Sequence, residues 1–510
     1  MAGSHHPLVA ASVRSVVLRG LDVVPVDVEV DIGPGTRKFF LIGLAAGSVR
    51  EARERVTAAI RSCGLPFPLH VITCNLAPAE VRKDGAGLDL AIAVAICLAE
   101  ARRPAAPGCA FFGEISLDGA IRHTNGVLVA TRGLAGLGVD RVFVPAADAA
   151  EAALVPGIEV VPCRHLGEVA DHLLEGLPLP AITPQPPAYE EPVAVDDLAE
   201  VHGQDTARRA LEVAAAGGHH LLMSGPPGSG KTMLARCLPG ILPPLTREEA
   251  IDLAQVGSVL GELEPGRPLS AQRPFRSPHH TISTAGLVGG GSSLARPGEV
   301  SRAHHGVLFL DELAEFDPGS LQALRQPLEE GRVRITRSGG SVSYPARFML
   351  VGATNPCPCG WEGDPVKACR CTPAAVYAYQ RALSGPLLDR IDLQVRVSRA
   401  PLEALSEEPT GESSAAVRAR VSAARSRQLE RQGHLNANLT RAELRRLTGI
   451  RPDARRALER WSSAKGLTAR GFQRAWRVAR TVADLQASDE IVEEHVFEAL
   501  GYRVADAAAA

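Results

Sequence analysis

The eight residues GPPGSGKT, 225–232, carry the most explicit chemistry in the chain. Gly225, Gly228 and Gly230 let the backbone curl so that its N–H groups converge on phosphate oxygens, with Pro226, Pro227 and Ser229 completing the loop. Lys231 is placed to reach the β- and γ-phosphates of ATP, and Thr232 to hold Mg²⁺. An apolar HLLM run before the loop and an amphipathic stretch after it predict strand, loop and helix. Further on, GVLFLDE (306–312) predicts a buried strand ending in two carboxylates. Asp311 suits a contact to Mg²⁺, and Glu312 suits activation of an attacking water. A third apolar strand, RFMLVGATN (347–355), ends in Asn355, a polar side chain able to position that water beside Glu312. In SGPLLDRIDL (384–393), Arg390 falls in a short loop after a helix, where it can reach the γ-phosphate bound by a neighbouring subunit. A surface ion cluster of Asp389, Arg390 and Asp392 is the plainer alternative.

Directly after Asn355 comes NPCPCGWEGDPVKACRC, in which Cys357, Cys359, Cys369 and Cys371 form C-x-C-x₉-C-x-C. Two close pairs separated by a turn-forming segment can deliver four thiolates to one tetrahedral Zn²⁺ and leave no open position for catalysis. Such a structural zinc would staple the loop that follows Asn355. Buried free thiols or a redox pair are the alternatives. The other six cysteines are scattered without a pairing pattern, which fits a reducing cytoplasm.

RVRITRSGGSVSYPARFML (332–350) holds two alternating segments around Ser-Gly-Gly, the signature of a tight hairpin. Arg332, Arg334 and Arg337 make it basic and able to grip DNA phosphates without sequence preference. The paired histidines 279/280 and 304/305 lack metal-ligand spacing and are expected to be structural hydrogen-bonding residues. From Arg441 to Arg480 there are 12 Lys and Arg against 3 Asp and Glu, a net +9 that suggests a nucleic-acid partner. Trp461 and Trp476 lie in that run, Trp476 at core spacing.

These groups must be positioned by a chain of 510 residues, too long for a single core. With 45% hydrophobic and 22% charged residues and a formal charge of −2, it is not basic overall, though a local basic surface remains open. Residues 1–175 alternate strands and helices. Residues 176–198 are proline-rich and expected to link domains. Residues 199–405 carry the nucleotide motifs, 406–505 are helical, and 506–510 form an alanine tail. No signal peptide opens the chain. The longest apolar run, Leu90 to Ala99, is far short of the roughly 20 residues of a membrane span.

Together the motifs resemble an AAA+ ATPase: Walker A at 225–232, Walker B at 307–312, sensor 1 at Asn355 and an arginine finger at Arg390. LTARGFQRAWRVARTVADL (467–485) is similar to the sensor-2 helix of the lid, with Arg470 at the sensor position. The resemblance implies a ring, usually a hexamer. The hairpin resembles the pre-sensor-1 hairpin of the clade holding magnesium chelatase and the replicative MCM helicases. PHHTIS, GGG, RAHHGVLFLDEL, NPCPCG and LSGPLLDRIDL extend the resemblance over nearly the whole chain to the bacterial ComM/YifB family of magnesium-chelatase-like AAA+ proteins. That family implies an ATP-driven hexameric helicase promoting DNA branch migration in homologous recombination, notably when transformed DNA is integrated.

RKDGAGLDLAIAVA (82–95) and the segment 111–145 resemble the Lon-protease-like (S5 domain 2-like) fold. The family's serine nucleophile would fall at Gly87 and its lysine base near Leu128, so the domain is expected to be proteolytically inactive. The expected fold class is α/β: a Lon-protease-like α+β front domain, then an AAA+ P-loop core with a helical lid. A magnesium chelatase ATPase subunit and a protein-remodelling ATPase are the competing readings. Against the latter, the hairpin's one aromatic, Tyr344, sits at its base.

Overall fold

The computed structural model describes residues 11–104, 107–182, 196–264, 269–291, 295–337, 340–364, 366–383, 387–399 and 411–503. Most of the expected linker, the hairpin tip Ser338–Gly339, the polar boundary at 406–410 and the alanine tail lie outside the described residues.

The front domain is built on a seven-stranded sheet in the order β3-β4-β2-β1-β5-β8-β9. Its strands are β1 (Ala11–Arg19), β2 (Asp22–Gly33), β3 (Lys38–Ile42), β4 (Val71–Ala77), β5 (Cys109–Phe111), β8 (Arg141–Pro145) and β9 (Glu159–Cys163), with β6 (Glu114–Ile115) and β7 (Ile121–Arg122) forming a separate pair. Alternation sets the faces: Val26, Val28 and Val30 of β2 are buried, while Asp27 and Glu29 point outward. The helix Asp89–Glu100 is buried all round from Asp89 to Ala99, because it is packed between this sheet and two further helices. Its one buried charge, Asp89, is met by Arg55 through two contacts of 2.7 and 3.0 Å. After the helix Leu166–Glu175 the chain runs back along the sheet, where Ile182 N–H bonds the Val160 carbonyl.

The second sheet is wholly parallel, in the order β11-β14-β17-β10-β18. It comprises β10 (Leu221–Ser224), β11 (Phe275–Arg276), β14 (Val307–Leu310), β17 (Met349–Thr354) and β18 (Leu393–Arg396). Every strand therefore ends on one edge, the edge where open α/β sheets bind ligands. Two small pairs stand beside it: β12 (Gly289–Gly290) with β13 (Arg296–Pro297), and the hairpin β15 (Arg332–Arg337) with β16 (Gly340–Pro345).

Five helices follow, Ser414–Gln432, Arg441–Leu447, Pro452–Ala464, Ala469–Leu485 and Glu493–Gly501. Ser413, Thr440 and Thr468 cap three of them through side-chain oxygens. Val417, Trp476 and Leu500 share one continuous hydrophobic cluster with Leu221, Val307 and Leu393, so these helices are fused to the parallel sheet by a common core. The basic run expected over 441–480 is not one open face. Arg474 and Arg480 are buried, and Arg480 donates to the carbonyls of Thr448 and Asp489 at 2.9 and 2.7 Å. Trp476 is buried, its Nε1 donating to Thr448 Oγ1, while Trp461 is exposed. Among the described residues no helix is long and apolar enough to cross a membrane.

The front domain docks on the second sheet's surroundings at two places. Gly126 N–H bonds the Ser258 carbonyl of the helix Arg247–Leu260 at 2.9 Å, and Arg132 pairs with Asp252 at 3.0 Å. Buried between them, Glu151 Oε1 accepts from Leu128 N–H and Ser258 Oγ at 3.3 and 3.2 Å. Elsewhere the β1–β2 turn meets the hairpin. A Cβ on Gly20 would lie 2.2 Å from Val342 Cγ1, and Leu21 packs in the cluster containing Val342 and Tyr344.

Candidate functional site

The phosphate loop leaves β10 and enters the helix Lys231–Arg236, with Gly228 and Gly230 at φ +74° and +87°. Gly225 is needed for a different reason from the one expected. Its φ is unremarkable, but a Cβ there would sit 2.1 Å from the Val397 carbonyl oxygen just beyond β18. Lys231 Nζ donates to the carbonyls of Gly225 and Pro226 at 2.7 and 2.9 Å, and lies 3.3 Å from Asn355 Oδ1. Burial pulls its ammonium below the ordinary lysine range, against the opposing pull of Asp311 and Glu312. Thr232 Oγ1 donates to Asp311 Oδ2 at 2.8 Å, so the two oxygens expected to share Mg²⁺ are already adjacent. The other Asp311 oxygen accepts the Glu312 N–H at 3.0 Å. Glu312 itself has φ +51°, a conformation that few non-glycine residues adopt.

Sequence reasoning missed a neighbour of Glu312. His280 Nδ1 lies 3.3 Å from Glu312 Oε2. The signal was topological: β11 and β14 are parallel neighbours, so residues just beyond Arg276 and Leu310 share an edge. The expected arginine finger also has a partner within the chain. Arg390 closes the 3-10 turn Leu388–Arg390, and its guanidinium meets Glu329 at the end of the helix Arg325–Glu330. Asp392, grouped with it in the alternative reading, is instead buried against His219 and Arg474 at 3.5 Å each. Arg470 is exposed on the first turn of its helix.

The four cysteines do converge. Sγ separations are 3.4 Å (Cys357–Cys359), 3.6 Å (Cys357–Cys369) and 3.5 Å (Cys359–Cys369), and the four ligand atoms lie within 4.8 Å of one another. A tetrahedron with Zn–S bonds of about 2.3 Å has edges of nearly 4 Å. The donor set and spacing thus fit one zinc ion. The backbone N–H groups of Arg370 and Trp361 pull the Cys359 thiol down, while Cys369 and Cys371 are shifted up within the same group of thiols. The loop also touches the nucleotide site: a Cβ on Gly360, at φ +83°, would meet Pro227 Cδ at 2.5 Å. Lys367 and Arg399 both lie over the Trp361 ring, 4.2 and 4.3 Å from its centroid, and Arg399 reaches the Pro227 carbonyl at 3.4 Å.

Asp252, His304 and His305 form a second group with metal-ligand proximity. His304 Nδ1 accepts the backbone N–H of Arg347 at 3.0 Å, and burial holds the ring neutral, at about 3. The ring proton then sits on Nε2, which leaves neither nitrogen free to ligate. His304 is thus committed to a hydrogen bond with the backbone.

On the hairpin, Arg332, Arg334 and Arg337 are exposed while Val333 and Ile335 face inward. Tyr344 is buried, its hydroxyl donating to the Ala295 carbonyl at 2.5 Å. In the front domain, a Cβ on Gly87 would lie 2.5 Å from the Phe112 ring, and Leu128 is fully buried.

Three family models match the chain in succession. The one described as "Subunit ChlI of Mg-chelatase" covers residues 28–148, "Magnesium chelatase, subunit ChlI" covers 197–405, and "Magnesium chelatase, subunit ChlI C-terminal" covers 411–503. An uncharacterized protein of Mycobacterium tuberculosis is 43% identical over 500 residues, spanning 96% of this chain and 97% of its own. YifB of Salmonella typhimurium is 41% identical over 496 residues, 96% of each chain. Competence protein ComM of Haemophilus influenzae is 40% identical over 500 residues, 97% of each.

Proposed function

The chain belongs to the ComM/YifB family of magnesium-chelatase-like AAA+ ATPases, and from that premise we propose that it is an ATP-dependent DNA motor. It works as a homo-hexameric helicase in the cytoplasm and promotes branch migration during homologous recombination, including the integration of transformed DNA. The observation that carries this reading is the hairpin. Three of its arginines are exposed, while its one aromatic is locked in the core, which suits a phosphate backbone and not a threaded polypeptide.

In this reading Lys231 and the loop N–H groups bind the β- and γ-phosphates, and Thr232 and Asp311 hold Mg²⁺. Glu312 takes the proton of the attacking water that Asn355 orients. Arg390 leaves Glu329 to complete the neighbouring subunit's site, and Arg470 reads the nucleotide from the lid helices. Zinc held by Cys357, Cys359, Cys369 and Cys371 is structural: with all four positions taken by thiolates it keeps the Gly360 turn against Pro227. The front domain is a Lon-protease-like scaffold without proteolytic activity, since the Phe112 ring occupies the space a serine at position 87 would need.

The test is ATP hydrolysis without DNA and with single strands, duplex and a four-way junction, beside Lys231→Ala. Stimulation strongest with single strands or junctions, and lost in the variant, is the expected result. Hydrolysis indifferent to every DNA would overturn the motor and redirect attention to porphyrin or protein substrates.

A further inference from the structure

Arg390 is the residue proposed to complete a neighbouring copy's nucleotide site, yet its side chain is only 12% exposed, against 53% for Glu329, which accepts from its Nη2. The guanidinium thus lies low in the surface, beside a carboxylate that faces water. The turn that carries it is fixed. Arg390 N–H bonds the Leu387 carbonyl at 2.8 Å, and Ile391 N–H the Leu388 carbonyl at 3.1 Å. Leu387 and Ile391 are buried in the cluster that holds Leu324, Val333 and Tyr344, with Leu328 and Leu388 packed against it. A reach of Arg390 toward another subunit is therefore a change of side-chain rotamer, with the backbone staying where it is.

The place where the guanidinium rests is made by a helix end. Glu329 and Glu330 close the helix Arg325–Glu330, whose cap Gly331 has φ +64° and bonds the Pro327 carbonyl at 2.9 Å. Free carbonyls gather negative charge at such an end, so two carboxylates there call for cations. Glu330 has Arg332 at 3.7 Å, and Glu329 has Arg390. A carboxylate and a γ-phosphate are alternative partners for one guanidinium, since both present paired oxygens to its N–H fork. Whatever Glu329 contributes within the subunit weakens the contact between copies by the same factor. A half-exposed ion pair is weak, so that factor is only a few-fold and the more highly charged phosphate prevails.

We infer that Glu329 is a positioning residue for Arg390: it holds the guanidinium within its own subunit and yields it to the γ-phosphate presented by a second copy of this chain, so that the joint between copies loosens once that phosphate has left. The inference rests on the ring reading and on Arg390 as the arginine acting between subunits. Glu329 then restrains assembly with a nucleoside triphosphate and has no effect with a diphosphate, where Arg390 has no γ-phosphate to reach.

The experiment compares full-length wild type with Glu329→Gln, Arg390→Ala and the double variant. Sedimentation velocity reads assembly with Mg²⁺ and adenosine 5′-(γ-thio)triphosphate, and separately with Mg-ADP. Steady-state ATP hydrolysis is followed across subunit concentration. Glu329→Gln keeps the shape and removes the charge. It is expected to assemble with the triphosphate at a subunit concentration about threefold to fivefold lower, and with ADP within about twofold of wild type. The concentration for half-maximal hydrolysis should fall by the same factor. Arg390→Ala should lower kcat by at least about 10³-fold, and adding Glu329→Gln to it should change assembly no further. A carboxylate that only supported the fold would shift both nucleotide states together, whether or not Arg390 is present. Triphosphate assembly of Glu329→Gln at or above the wild-type concentration, or an equal shift in the Arg390→Ala background, overturns the inference. If Arg390→Ala is impaired while Glu329→Gln matches wild type, the arginine acting between subunits stands and Glu329 alone is removed. Wild-type hydrolysis by Arg390→Ala, or a wild type that stays monomeric with both nucleotides, overturns the underlying reading and the inference together.

Discussion

Lys231 and Asn355 touch beneath the phosphate loop, Nζ to Oδ1 at 3.3 Å, so the cation proposed for the phosphates and the amide proposed for the water share one contact. The same ammonium donates to the carbonyls of Gly225 and Pro226. Asn355→Ala is expected to lower kcat by about 10²-fold while changing nucleotide affinity less than threefold or so. Lys231→Ala should lose affinity itself. Steady-state hydrolysis paired with equilibrium nucleotide binding separates the two.

The cysteine cluster should hold about one zinc per chain in protein purified without chelator, measured by elemental analysis. Cys369→Ser should lose the metal and lower Tm by roughly 5 °C. Because the Gly360 turn rests on Pro227, turnover should fall as well. Metal content well below one equivalent, with hydrolysis and Tm unaffected by the substitution, would contradict a zinc staple.

The contact between the front domain and the helix Arg247–Leu260 should weaken with rising pH. Burial first, and then the nearby Asp148, push the Glu151 carboxyl up to about 7, with Ser258 and Leu128 opposing. A carboxyl whose pKa is raised by docking costs nothing while protonated in both states, below its ordinary value of about 4.5. The cost grows as pH climbs through 7 and then levels off. At about 1.4 kcal/mol per unit, the loss amounts to a few kcal/mol at most. Glu151→Gln, which keeps an acceptor for Leu128 N–H and Ser258, should flatten this dependence. Thermal unfolding between pH 5 and 8 reads it, and an equal slope in the variant would remove Glu151 as the cause.

Replacing Arg332, Arg334 and Arg337 together by alanine should weaken single-strand binding about equally across sequences. The slope of log affinity against log salt should become shallower by about 2. DNA-free hydrolysis should stay within about twofold. An unaltered salt slope would place the DNA elsewhere on the molecule.

Much of the catalytic edge was legible because it is local. A glycine loop between an apolar run and a helix, and carboxylates at the end of a four-residue apolar strand, are patterns that neighbours in sequence enforce. The four cysteines were legible for the same reason, being two short pairs joined by one turn. What pairs with the catalytic groups was not. His280 meets Glu312, and Glu329 meets Arg390, only after crossovers bring separate segments to one edge. Charge counting misled in the C-terminal helices, where Arg474, Arg477 and Arg480 recur every third residue and so share a face with the buried Ala475 and Val478 side of the helix. That spacing carried the correction, since like charges stacked on one face need carbonyl partners, and Arg480 finds them in Thr448 and Asp489. That Gly87 carries no nucleophile was plain in the sequence, but the 2.5 Å approach of the Phe112 ring to a Cβ at that position was not.

The turn at Gly20 and Leu21 bears on how this protein can be divided or altered. With no room for a Cβ between Gly20 and Val342, and with Leu21 half-buried against the base of the hairpin, the first and third quarters of the chain are machined to one another. A fragment beginning after residue 196 would retain every nucleotide-binding group yet carry a bare apolar shelf beneath its basic hairpin. Hybrids joining the front half of one relative to the motor of another would inherit a mismatched bearing at this point. The nucleotide-binding part therefore cannot be cut free of the front domain without baring that surface.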